Sequence, residues 1–141
     1  QFADGIAALG RRFDAVVSAH NIEHVEQPEA VLRAMCGVLT PGGRLYLSFP
    51  SPASLDFPSR AGALNFRDDP THRWLPDFTL IRRVAQECGC TVVAWQPQNR
   101  PPAGYVLGAL VEPLSRVRGK VLPFTWNYWG FESVVILARG A

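Results

Sequence analysis

The chain has 141 residues, of which 48% are apolar and 18% charged, and its net charge is +2. That is the balance of one folded domain with a core of its own, and it excludes a disordered chain. The basic residues are scattered (Arg11, Arg12, Arg82, Arg83, Arg116, Arg118, Lys120) and read as solvated surface, so no nucleic-acid partner is expected.

In chain order, FDAVVSA (residues 13–19) is short, apolar and β-branched at its centre, the pattern of a buried strand. HNIEHVEQ follows as a loop, and Pro28 suits the first turn of a helix. Val31, Leu32, Met35, Val38 and Leu39 recur at helical spacing, and Pro41-Gly42-Gly43 turns the chain into a second strand, RLYLSFP (44–50). Strand, helix and strand at this spacing make a βαβ unit with parallel strands and a right-handed crossover. Residues 51–75 are a long loop rich in Pro, Ser and Asp, a length that compact domains keep for functional or mobile segments.

A helix over Pro76–Cys88 follows, with Phe78, Ile81, Val84 and Ala85 on one face and Gly89 as its stop. TVVAWQP (91–97) and ESVVILAR (132–139) read as strands. Residues 98–131 form an insertion between them. Its first half has an apolar stripe (Val106, Leu110, Leu114, Val117) interrupted by Pro113, and its second half packs five aromatics into eleven residues. Two readings stay open for it: a helical cap with its own core, or an apolar lid over a ligand.

Cys36, Cys88 and Cys90 are odd in number and irregular in spacing, which fits reduced, buried thiols in a cytoplasmic protein better than a disulfide framework. No run of 18 uncharged apolar residues predicts a membrane span, and no signal-peptide pattern is present. Because Gln1 rather than Met opens the sequence, the chain is expected to be a piece of something longer.

The stretch FDAVVSAHNIEHVEQPEAVLRAMCGVLTPGGRLYLSFP resembles the second half of a class I S-adenosylmethionine-dependent methyltransferase, with Asp14, Glu23-His24, Leu39 and Pro41-Gly42-Gly43 matching in order and spacing. The resemblance extends, less specifically, through Thr71-His72 to Gly89 and to the last two strands. It implies an α/β fold with a Rossmann-like methyltransferase sheet. Here that sheet is incomplete: about four strands are visible, the last two as an antiparallel pair, with the helical and aromatic insertion before the final strand. Residues 1–141 would then be a single partial domain.

The resemblance also implies S-adenosyl-L-methionine as cofactor and a small or medium-sized molecule as methyl acceptor. The family's Gly-rich cofactor turn and its acidic ribose ligand have no counterpart here; Gly5 and Gly10 are too far apart to form the turn. An incomplete sheet would expose a strand edge beside FDAVVSA, open to self-association. The rival expectation is a non-catalytic interaction module derived from the same fold.

His20, Glu23 and His24 spell H-x-x-E-H, a zinc-peptidase spacing. That chemistry needs both histidines on one face of a sustained helix, and the preceding strand and Pro28 leave no room for one. Ligands of open α/β sheets instead sit beyond the carboxyl ends of the strands, where this segment falls. On the resemblance, Ala19, His20 and Asn21 would line the methionine end of the cofactor, and His20 would be the catalytic base if the acceptor must lose a proton.

Small-RNA 2′-O-methyltransferases resemble this segment in placing E-x-x-E-H, and a later His, around a divalent metal. His20, Glu23, His24 and His72 could mimic that set, although His20 stands in place of a carboxylate, and the expectation is that no metal is bound. The bland reading of Glu23-His24 is a loop brace with the imidazole bonded to a backbone carbonyl. In the long loop, Asn65, Arg67, His72, Arg73 and Trp74 are the candidate substrate-binding residues, since charged and aromatic groups converge there.

Overall fold

The computed structural model describes residues 2–141; Gln1 lies outside the described residues. A short helix α1 (Phe2–Ala7) leads to strand β1 (Phe13–Ala19), helix α2 (Pro28–Gly37) and strand β2 (Leu39–Pro50). Helix α3 (Phe78–Glu87), strand β3 (Cys90–Gln96), helices α4 (Pro102–Arg118) and α5 (Thr125–Trp129) and strand β4 (Glu132–Arg139) complete the order. The four strands form one sheet in the order β1-β2-β4-β3. β1 and β2 are parallel, and β4 runs antiparallel to both of its neighbours. The expected βαβ unit and the antiparallel last pair are both present.

The helices follow their apolar spacing. Pro28 starts α2, which buries Val31, Leu32, Met35 and Cys36. Asp77 caps α3 by accepting from the Thr79 amide at 2.9 Å, and Ile81, Val84 and Ala85 face inward. These side chains close over Leu45, Leu47 and Phe49 of β2 and Val135 and Leu137 of β4 in one core. That core holds the carboxyl end of β1 and β2 in place.

Three expectations change. Leu39 belongs to β2 and not to the helix, and Pro41-Gly42-Gly43 is a bulge inside that strand: Phe13 pairs with Leu39, but Ala15 pairs with Arg44. A side chain at Gly43 would meet the Thr40 carbonyl at 2.9 Å and the Phe13 carbonyl at 3.0 Å, and Gly42 has φ +75°, so glycine is required at both. β1 is mostly exposed rather than buried, with Val17 at 70%, because it lies at an edge of the sheet with β2 as its one neighbour among the described strands.

The third change concerns the insertion. The apolar stripe of α4 points outward, with Leu110 75% and Val117 86% exposed. The inward face carries Gly104, Gly108, Glu112 and Ser115, also at helical spacing. Small residues there let α5 approach: a Cβ at Gly108 would lie 2.4 Å from the Phe124 carbonyl and 2.8 Å from Tyr128 Cβ.

The long loop is likewise built, not slack. It contains 3₁₀ turns at Pro52–Asp56 and Phe66–Asp68 and buries Ser51, Ser54, Leu64 and Phe66. Asp68 accepts from the amides of Arg60, Leu64 and Asn65 at 3.0, 3.1 and 2.8 Å and from the Ser59 hydroxyl. Burial opposes this charge, but those donors hold the Asp68 carboxyl below its ordinary pKa. Arg60, 4% exposed at its side chain, pairs with Glu112 through two nitrogens at 2.8 and 2.6 Å and also reaches Ser115 Oγ at 2.9 Å. This clasp ties the loop to α4.

Candidate functional site

β1 ends at Ala19, and the chain turns sharply at His20, whose φ of +45° lies in the left-handed region. The His20 amide donates to the Ser48 carbonyl at 2.9 Å, which fixes the turn against β2. A 3₁₀ turn over Ile22–His24 follows, far too short for a peptidase helix. The turn sends its side chains to two sides. Ala19 and Asn21 line a shallow groove of about 480 Å³ along β1, with Val16, Ser18, Ile6 and Leu9. Ser18 Oγ is buried there without a hydrogen-bond partner.

His20 faces the other way. Its Nδ1 is 3.3 Å from Glu23 Oε1, and its Nε2 is 3.3 Å from Glu132 Oε1. The ring lies 5.3 Å from the Trp126 ring and stacks 6.0 Å from that of Phe131. Burial lowers the His20 pKa, but Glu132 and Glu23 outweigh it and raise the value to about 9. Glu132 is opposed by burial too, yet His20 and Asn99 bring it down to about 2. Asn99 Nδ2 donates to Glu132 Oε2 at 3.0 Å. At neutral pH the ring is therefore an imidazolium between two carboxylates, a proton donor and not a ready base.

Glu132 and Asn99 carry no sequence signal as site residues. Glu132 reaches the site because β4 runs beside β2, where Glu132 pairs with Pro50. That adjacency spans most of the chain and leaves no mark in local spacing.

His24 and His72 meet on the far side of Glu23, with ring centroids 4.9 Å apart. The expected brace is exchanged between them: His24 Nδ1 contacts Thr71 Oγ1 at 2.9 Å, and it is His72 Nδ1 that bonds a backbone carbonyl, that of Phe66, at 2.6 Å. His72 also stacks on Phe66 at 4.5 Å.

The other candidates from the long loop divide by how their polar atoms are used. Asn65 donates to the Leu55 and Phe57 carbonyls at 3.0 and 2.6 Å and accepts from the Arg67 amide. Trp74 Nε1 donates to the Ile22 carbonyl at 2.7 Å. Both brace backbone. Arg67 and Arg73 keep their guanidinium groups at the surface, with long contacts to the Leu55 carbonyl (3.5 Å) and Glu26 (3.4 Å). The structure thus gathers His20, Glu23, His24 and His72 in one cluster and leaves Arg67 and Arg73 outside it.

Comparison with known proteins bears on the family and the fold. A family model described as a methyltransferase domain matches residues 1–94. A ubiquinone biosynthesis O-methyltransferase of Cereibacter sphaeroides is 32% identical over 92 residues, covering 58% of this chain and 37% of that protein. The chain thus spans little more than a third of this curated relative.

Among solved structures, an S-adenosylmethionine-dependent methyltransferase of Mesorhizobium loti superposes with a TM-score of 0.60 at 16% identity, over 91% of this chain and 62% of that one. The magnesium protoporphyrin IX methyltransferase of Synechocystis, solved with bound SAH, gives 0.56 at 15% identity, over 96% of this chain and 48% of that one. The family match covers well over half of the chain, and its range includes β1, α2 and β2. This chain belongs to the methyltransferase-domain family.

Proposed function

We propose that this chain forms the acceptor-side part of an S-adenosyl-L-methionine-dependent methyltransferase acting on a small or medium-sized molecule. The observation that carries the reading is the turn at the carboxyl end of β1, which sends Ala19 and Asn21 to one side and His20 to the other. On the first side, the groove, the unpartnered Ser18 hydroxyl and an Asn21 side chain that caps nothing fit one wall of a cofactor site. They are one wall only, since the sequence has no Gly-rich turn to wrap the methionine, so these residues alone would hold the cofactor weakly. When bound, the cofactor supplies an electrophilic methyl group on a sulfonium.

On the second side, His20 sits on the aromatic floor of Trp126 and Phe131, and its two ring nitrogens are held by Glu23 and Glu132. Fixed in this way, with both N–H groups turned to carboxylates, it orients an acceptor through its positive charge and the face of its ring. Displacement at a sulfonium gains most from such positioning. The aromatic floor favours an acceptor with an apolar part, and the similarity to an O-methyltransferase supports an oxygen as the atom modified. Arg67 and Arg73, exposed at the rim, are left to meet charged groups of the acceptor, with Asn65, His72 and Trp74 shaping the loop behind them.

The outer edge of β1 is open to a further strand, from a second copy or from a longer chain. Among the described residues no helix is long and apolar enough to cross a membrane. The three free thiols support a reducing compartment such as the cytoplasm.

His20→Ala in the active enzyme that carries this chain tests the reading. It should lower kcat/KM for the acceptor by about tenfold, the effect of a lost positioning contact. His20→Asn, which keeps an N–H for Glu132 and tolerates the left-handed turn, should recover part of that loss. Unchanged turnover in His20→Ala would reduce His20 to scaffolding.

A further inference from the structure

Helix α4 exposes Val106, Leu107, Leu110, Leu114 and Val117, with Pro113 among them. At the helical spacing these positions fall within an arc of about 120° over about three turns, and no polar residue interrupts it. Apolar residues scattered singly on a surface need no explanation, but a continuous stripe of this length marks an interaction surface.

The helix cannot roll to hide the stripe. A Cβ at Gly104 would stand 2.9 Å from Asn127 Cγ, and one at Gly108 2.4 Å from the Phe124 carbonyl oxygen, so only the small inner face fits against α5. The Arg60–Glu112 ion pair pins the same face, with Arg60 also donating to Ser115 Oγ at 2.9 Å.

Charge identifies what covers the outer face. Residues 98–131 carry Arg100, Arg116, Arg118 and Lys120 against one acid, Glu112, and that acid is committed to Arg60. Arg116 and Arg118 lie in the last turn of α4, and Lys120 follows its cap. Asp56 shares a cavity with Arg116, but Arg118 and Lys120 have no ion-pair partner among the described residues. The partner is therefore apolar along α4 and negatively charged beside its carboxyl end. A second copy does not meet that need, because a two-fold contact sets the face against itself, and this face brings no acid to meet its own cations. The stripe is also aliphatic throughout, without the aromatic or arginine anchors that dominate protein–protein contacts. A bilayer with anionic headgroups supplies both halves, acyl chains for the stripe and phosphates for the cations.

We propose that α4 lies flat on an anionic lipid bilayer, its aliphatic face sunk to the headgroup boundary and Arg118 and Lys120 at the phosphates. The helix has 17 residues, a length of about 25 Å. Glu112, Arg116 and Arg118 keep it on the surface rather than across the membrane. This contact rests on the insertion alone, whether or not the chain transfers methyl groups.

Co-sedimentation of the purified chain with vesicles tests it, using phosphatidylcholine with about one-third phosphatidylglycerol beside phosphatidylcholine alone. Binding is expected on the mixed vesicles and should be about tenfold weaker on phosphatidylcholine alone. Leu110→Gln with Val117→Gln should weaken binding to the mixed vesicles by about tenfold through lost apolar contact. Arg118→Gln with Lys120→Gln should weaken it by about tenfold through lost charge. Glutamine suits a helix and all four positions are exposed, so circular dichroism should confirm both folds. Val93→Gln, the same kind of change at an exposed valine of β3, should alter binding by less than about twofold. Absence of binding, equal binding to phosphatidylcholine alone, undiminished binding in either folded pair, or an equal loss in Val93→Gln would overturn the proposal. So would a dimer in light scattering that Leu110→Gln with Val117→Gln dissociates, since a second copy would then occupy the face.

Discussion

Arg60→Ala should destabilise the chain by about 3–5 kcal/mol, the effect of stripping one partner from a buried ion pair. The guanidinium is 4% exposed and Glu112 is 12% exposed, so the carboxylate left behind would have little water to turn to. Arg60 also holds Ser115 Oγ and lies with its Cζ 5.9 Å from the Trp129 ring centroid. Losing it should release the long loop from α4 as well as lower global stability. Urea unfolding of Arg60→Ala and Glu112→Ala measures the cost of each single change. The double replacement Arg60→Met with Glu112→Leu should recover most of it, because a packed apolar pair no longer leaves a charge stranded. If the single variants unfold like the parent chain, the clasp contributes nothing.

Gly108→Val should cost about 3 kcal/mol, the upper end of the range for overpacked sites. Its new Cβ would stand 2.4 Å from a backbone carbonyl oxygen, an obstacle that no side-chain rotation can relieve. The expected consequence is that α5 separates from α4 and carries Trp126 and Trp129 with it. Trp126 Nε1 now donates to the Ala63 carbonyl at 3.0 Å. Loss of that burial should appear as a red shift of tryptophan emission at denaturant concentrations below the main transition. Emission that follows the main transition alone would mean that the two helices tolerate the extra volume. Since Trp126 also floors the proposed acceptor site, this variant links packing in the insertion to function.

The fold was readable where one local pattern settled the outcome. The spacing of Val31, Leu32 and Met35 gave α2, and Ile81, Val84 and Ala85 gave α3. Where two helical stripes competed, the spacing could not decide. In α4 the apolar stripe at Val106, Leu110, Leu114 and Val117 lost to Gly104, Gly108, Glu112 and Ser115, because close approach of α5 and the Arg60 clasp outweighed apolar area. The exposure of β1 has a related reason: the residues suit a buried strand, but among the described strands only β2 lies beside it.

The site divides in the same way. The turn after β1 was placed by the motif around Glu23-His24. Glu132, Asn99 and the meeting of His24 with His72 depend on contacts between distant parts of the chain, which residue spacing does not record. Geometry also gave His20 a different character. Glu132, remote in the sequence, joins Glu23 of the motif to make it a held cation at neutral pH.

The claim that the end of β1 borders a methyl donor is tested most directly by titrating the isotope-labelled chain with S-adenosylhomocysteine and following backbone amide shifts. Weak binding is expected, with the largest shifts at Ser18, Ala19 and Asn21 along the groove and smaller ones at His20. Shifts centred elsewhere, or tight micromolar binding by these 141 residues alone, would contradict it.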